Sequence, residues 1–153
     1  MNMLQTLAAI AVVAGVPLTV VLADQPDPDM KPIVEIVEQL EGKGYGPFIE
    51  VSFDDGRWEV ETYKNDAPYE LSVDPRTGNV LSEHRDDAEP RPPRDAQPLS
   101  RILHGLINAG YTNIDDVAFE RRYWEVECLR KDGKREIHVN PTTGEIISDR
   151  LDD

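Results

Sequence analysis

Residues 29–83 and 95–149 of this chain are one segment written twice, 66 positions apart and without a gap. The shift places Trp58-Glu59-Val60-Glu61 on Trp124-Glu125-Val126-Glu127 and Pro75-Arg76-Thr77-Gly78 on Pro141-Thr142-Thr143-Gly144. Gly44-Tyr45 falls on Gly110-Tyr111, and Asp29, Pro32, Ile36, Leu40, Val51, Phe53 and Val73 meet identical partners. Of 55 aligned positions 19 are identical, mostly apolar, Gly or Pro, the residue types that set a fold rather than a reaction. One small module is therefore used twice. Units of this size bury only about 60% of their unfolded surface, so the copies are expected to pack on each other or on a partner.

Each copy opens on a helical period. Ile33, Ile36, Val37 and Leu40 recur at helix spacing up to Gly44, as Leu99, Ile102, Leu103 and Leu106 do up to Gly110. Asp29 and Asp95 are predicted to cap these helices, with Pro32 and Pro98 in the first turn. The period then switches to two: Ile49, Val51, Phe53, then Trp58, Val60, Thr62, then a strand at 69–73 and another at 79–82, joined by Asp/Asn-, Gly- and Pro-rich turns. The second copy follows the same order. The prediction is α+β: two tandem modules, each one helix packed on a four-stranded antiparallel sheet. They occupy residues 24–84 and 95–150, separated by a Pro-rich stretch at 85–94 that reads as an extended spacer of about 3 Å per residue.

Residues 1–23 carry no charged side chain, and the apolar run ends in Val21-Leu22-Ala23 before the polar Asp24-Gln25-Pro26-Asp27. This reads as a signal peptide cleaved after Ala23, which places the remainder in the periplasm or outside the cell. The alternative is a retained anchor, because roughly 17 apolar residues sit at the lower limit of a membrane span. The net charge of −14 lies wholly beyond this segment and repels phosphate backbones and anionic lipid. Neither a nucleic acid nor a membrane surface is expected as a partner. The first copy carries 5 basic and 12 acidic residues over positions 31–84, the second 8 and 9 over 98–150. The folds match while the surfaces have diverged, as when one copy faces a partner.

With helix, strand pair Asp55-Gly-Arg-Trp-Glu-Val-Glu61, strand Tyr69-Glu-Leu-Ser-Val73 and turn Asp74-Pro-Arg-Thr-Gly78, the first copy resembles the PepSY domain. The second does so through Trp124-Glu-Val-Glu127 and Val139-Asn-Pro-Thr-Thr-Gly-Glu-Ile-Ile147. The resemblance implies an exported binding module without catalytic residues or cofactor. Such domains occur in propeptides of thermolysin-type metalloproteases, where inhibition and folding assistance are associated with them, and in small exported bacterial proteins. The tandem layout is similar to that of the beta-lactamase inhibitor protein, which clasps an enzyme with its sheets.

The site residues follow from strand alternation. Glu59 and Glu61, like Glu125 and Glu127, project from one strand face about 7 Å apart, with Glu70 and Glu136 on the next strand. That spacing suits a pair of glycosidase carboxylates. An open sheet face offers neither the cleft nor the raised pKa such a pair needs, so the face is assigned to solvent or a protein partner, with a weak divalent-cation site or envelope sensor as the alternative. Tyr63 and Leu129 fall on the same outer face, where an apolar side chain has no internal role; with Glu59, Glu61 and Glu70 they form the expected partner contact. His84, His104 and His138 show no metal-ligand or triad spacing and read as solvated, and no metal is assigned. The lone Cys128 reads as a buried small hydrophobe. The paired aromatics Trp58/Trp124, Tyr45/Tyr111 and Phe53/Phe119 read as core.

Overall fold

A computed structural model describes residues 27–152; the signal-peptide reading of 1–23 lies outside them. Helix α1 (Ile33–Gly42) is followed by strands β1 (Phe48–Asp54), β2 (Arg57–Lys64), β3 (Ala67–Val73) and β4 (Val80–Arg85). Helix α2 (Leu99–Asn108) and strands β5 (Thr112–Glu120), β6 (Tyr123–Arg130), β7 (Gly133–Val139) and β8 (Ile146–Leu151) repeat the order. The architecture is α+β, but the two four-stranded sheets are one: the eight strands run β4-β3-β2-β1-β5-β6-β7-β8, all antiparallel. Each copy thus covers the exposed first strand of the other, which removes two sheet edges.

The seam is a local two-fold. Val51 pairs with its own repeat mate Val117, while Glu50 pairs with Ala118 and Ser52 with Asp116, so each copy's residues exchange roles. In the helix layer the mates Glu38 and His104 meet across the same axis at 2.6 Å. Both helices lie on one face of the sheet over a single core in which Ile36, Leu40, Val51, Trp58, Val60, Leu103, Val117, Trp124 and Val126 are buried. Trp58 meets Phe53 edge to face at 5.2 Å, and Trp124 meets Phe119 at 5.5 Å. Cys128 is free and buried, and burial pushes its thiol up to about 12; its mate Thr62, also buried, donates to the Pro47 carbonyl at 3.1 Å.

The helices begin later than the aspartates suggest. Pro32 and Pro98 themselves occupy the cap positions, without a side-chain cap bond, and Asp29 lies in a preceding turn. The lead-in is instead pinned to the sheet, Lys31 N–H donating to the Pro75 carbonyl and Gln97 N–H to that of Pro141, each at 2.8 Å. This explains the Pro-x-Thr-Gly turn. Asp74 Oδ1 accepts the N–H groups of Arg76 and Thr77 at 2.8 and 3.0 Å, Asn140 does the same for Thr142 and Thr143, and Gly78 and Gly144 close the turns at φ near +75°. The turn holds the proline carbonyl where the helix lead-in can use it.

Candidate functional site

Strand register lays the outer face out as two rows, on the side away from the helices. One runs His84, Glu70, Glu61, Glu50, Ala118, Glu125, His138, Ser148; the other runs Ser82, Ser72, Glu59, Ser52, Asp116, Glu127, Glu136, Arg150. Half of these sixteen positions are carboxylates. Like charges directly opposite on neighbouring strands destabilise each other, and Glu70, Glu61 and Glu50 stand consecutively in one row, as Asp116, Glu127 and Glu136 do in the other.

The two halves differ in how they are neutralised. In the second copy Lys134 Nζ reaches Glu127 at 3.2 Å, His138 Nε2 reaches Glu125 and Glu136 at 3.3 and 3.2 Å, and Arg150 pairs with Glu136. In the first, Arg57 approaches Glu59 at 3.7 Å, and no ion pair among the described residues involves Glu50, Glu61 or Glu70; across the seam, Asp116 of the second copy has none either. The consequence is electrostatic crowding. Partial burial, then Glu50, Glu89, Asp86 and Glu70, raise the Glu61 carboxyl from 4.5 to about 7. Partial burial, then Glu50, Glu127, Asp115 and Glu125, bring Asp116 from 3.8 to about 7. The open face therefore raises carboxyl pKa values after all, contrary to the expectation from sequence.

Of the five expected contact residues, Glu59, Glu61 and Glu70 share this face on neighbouring strands, and Leu129 lies half-buried near the far end of β6. Tyr63 is on the outer side but only 4% exposed, which corrects its reading as a free apolar contact. The segment after β4 covers it: the Tyr63 hydroxyl donates to the Glu89 carbonyl at 2.9 Å and accepts the Glu89 N–H at 3.1 Å, and Arg91 lies 4.4 Å above the ring. Arg91 also bonds Asp66 at 3.1 Å. The Pro-rich stretch is thus strapped to the first copy at Glu89 and Arg91, and Glu89 and Asp86 add to the field at Glu61. Tyr63→Phe is expected to cost about 1 kcal/mol, the usual net worth of a hydrogen bond, and to speed cleavage within 86–94 in limited proteolysis.

The concave parts of the surface lie elsewhere. A cleft of about 880 Å³ is bounded by the end of α1, Tyr45 to Phe48, the strap residues Arg91 to Arg94, and Trp124. Its two-fold mate, about 360 Å³, joins Met30 to Ile33 and Trp58 to Tyr111, Thr112 and Ile114. These clefts mark where each copy's helix lead-in meets the other copy, and none of the outer-face carboxylates lines them.

Alternation places Glu125, Glu136 and His138 on the outer face, but their convergence depends on the β6–β7 register, which the sequence does not display. His138 is not solvated: its side chain is 14% exposed, and its ring stacks on Tyr123 at 4.1 Å. His104 is half-exposed against Glu38.

A two-fold, helix-backed antiparallel platform with a charged open face is an α+β module of the kind that presents a sheet rather than encloses a site. The chain belongs to the PepSY family: the family model of the peptidase propeptide and YPEB domain matches residues 5–84 and again 86–150. Among solved structures, a putative lipoprotein from Clostridium difficile 630 is similar at 10% identity and a TM-score of 0.45, over 84% of this chain and 95% of that one. The YpeB C-terminal domain of Bacillus megaterium shares 13% identity at a TM-score of 0.32, over 83% and 70% of the two chains. A putative periplasmic protein from Bacteroides eggerthii shares 12% at 0.28, over 83% and 89%. A comparison with curated proteins finds no match. Among the described residues no helix is long and apolar enough to cross a membrane.

Proposed function

We propose that this protein is an exported, non-enzymatic binding module whose outer sheet face, over the first copy, docks a protein partner with a basic contact surface. The carrying observation is the row Glu70–Glu61–Glu50: three carboxylates in register on adjacent strands, without a cation among the described residues and with one pKa near 7. Crowding of this kind is relieved when lysines or arginines arrive from outside, so the face gains more from a cationic partner than isolated surface carboxylates would. Glu59 extends the patch in the next row and Leu129 lies at its far flank; Tyr63 contributes through the strap that it holds. Export is supported by the uncharged 1–23 segment and its acidic flank. The family description, which names peptidase propeptides, favours an exported peptidase or envelope enzyme as the partner restrained or assisted.

The experiment is surface-plasmon kinetics against the partner recovered from the exported fraction. Glu59→Lys combined with Glu61→Lys is expected to lower the association rate at least tenfold at low salt and to flatten its salt dependence, since charge complementarity acts chiefly on encounter. Circular dichroism serves as the folding control. Unchanged kinetics in this variant, with binding lost on changes to the second copy or the strap, would place the docking face elsewhere.

A further inference from the structure

We propose that Glu125, Glu136 and His138 form a site for a borderline divalent transition ion of the Zn²⁺ type, present in the second copy alone. The inference is independent of partner docking. One carboxylate oxygen from each glutamate and an imidazole nitrogen lie within 4.8 Å of one another. His138 Nε2 stands 3.3 Å from Glu125 Oε2 and 3.2 Å from Glu136 Oε1. In a tetrahedral zinc centre with bonds of about 2.0–2.1 Å, neighbouring ligand atoms are roughly 3.3 Å apart, so the nitrogen already sits at ligand spacing from both oxygens.

The three residues are carried by adjacent strands in the interior of one half-sheet. Glu125 is the direct cross-strand partner of His138, and Glu136 lies two residues before it on the same face. Outer groups hold the donors in place. Tyr123 stacks on the imidazole at an interplanar angle of 19°, and Arg150 bonds Glu136. Such orienting contacts are characteristic of built metal sites. Arg150 bonds the same oxygen, Glu136 Oε1, that faces the imidazole nitrogen, and the second lone pair of that oxygen is left for the metal. The first copy supplies an internal contrast: it retains both glutamates as Glu59 and Glu70 but has Ser72 where His138 stands, and Ser72 donates to Glu59 at 3.2 Å. What the second copy adds is the one nitrogen donor. An imidazole with two carboxylates selects Zn²⁺-like ions over Ca²⁺ and Mg²⁺, which require oxygen ligands throughout. Three protein ligands leave the outward position to water.

Isothermal titration of the untagged chain with Zn²⁺ is expected to show one site in the micromolar range, with no comparable heat from Ca²⁺. His138→Ser, which reproduces the first copy, and Glu125→Gln, a near-isosteric change, are each expected to weaken Zn²⁺ binding tenfold or more. His104→Ser is expected to leave it unchanged. Nuclear magnetic resonance gives a second readout: the His138 ring signals should shift with added Zn²⁺ while those of His84 and His104 stay fixed. Glu125→Gln keeps the test decisive if His138→Ser does not fold. The proposal is overturned if the wild type takes up no Zn²⁺, if neither variant weakens it, or if the shifts appear at the other histidines; the trio is then an ion-pair network only.

Discussion

Trp58→Ala is expected to destabilise the protein by about 3–5 kcal/mol, the range for large aromatics cut to alanine in a core. The indole is fully buried, packs edge to face on Phe53, and belongs to the core shared by both helices. Its ring nitrogen has no hydrogen-bond partner among the described residues, so the loss is one of packing rather than of a polar bond. Trp124→Ala should behave alike, since its neighbours are the repeat mates of those around Trp58. Because the copies share a core and a seam at Val51–Val117, either change should lower one cooperative transition rather than uncouple two. Denaturant melts followed by circular dichroism measure both quantities. A loss below about 1 kcal/mol would mean an indole that is not buried, and two separated transitions would mean copies that fold independently.

Stability should fall as the pH rises from about 4 to 7, the opposite of the usual behaviour of carboxylates. Glu61 and Asp116 have folded pKa values of about 7, above their ordinary 4.5 and 3.8. Through that window the folded state holds more protons than the unfolded one, so the unfolding free energy decreases with pH until both groups are ionised in both states. Below the ordinary carboxyl values both states are protonated and these two groups contribute nothing. Both side chains are partly exposed, so solvent screening reduces the cost to about 1 kcal/mol each. Glu61→Gln and Asp116→Asn are therefore expected to stabilise the protein by about that amount at pH 8 and to have little effect at pH 4. Urea melts at the two pH values give the comparison; equal effects at both would show that the crowding is absent.

Much of this fold is legible in the sequence because its signals are local. The switch from helical to alternating period at Gly44 and Gly110, and the turns at Asp55-Gly56 and Pro75 to Gly78, state which residues face the core and in what order. What alternation does not state is which strand lies next to which. Val51 and Val117 look like inward residues of two separate sheets, and only their pairing joins the copies and brings Glu50 of one close to Asp116 of the other. The same limit applies to His138, whose convergence with Glu125 and Glu136 depends on the register between β6 and β7. Tyr63 was misleading for another reason. The residue that shields it, Glu89, lies 26 positions away in a segment without periodicity, which offers no pattern from which docking could be inferred. The helix starts at 33 and 99 depend likewise on bonds to Pro75 and Pro141, contacts across more than 40 residues.

Carboxyl footprinting of the protein alone and in complex with its recovered partner tests the docking face most directly. Carbodiimide labelling followed by mass spectrometry should show Glu50, Glu59, Glu61 and Glu70 protected in the complex, while Glu35 and Glu38 on the helix side label as before. Protection confined to the helix-side glutamates, with the Glu70–Glu61–Glu50 row labelled equally in both samples, would contradict the assignment.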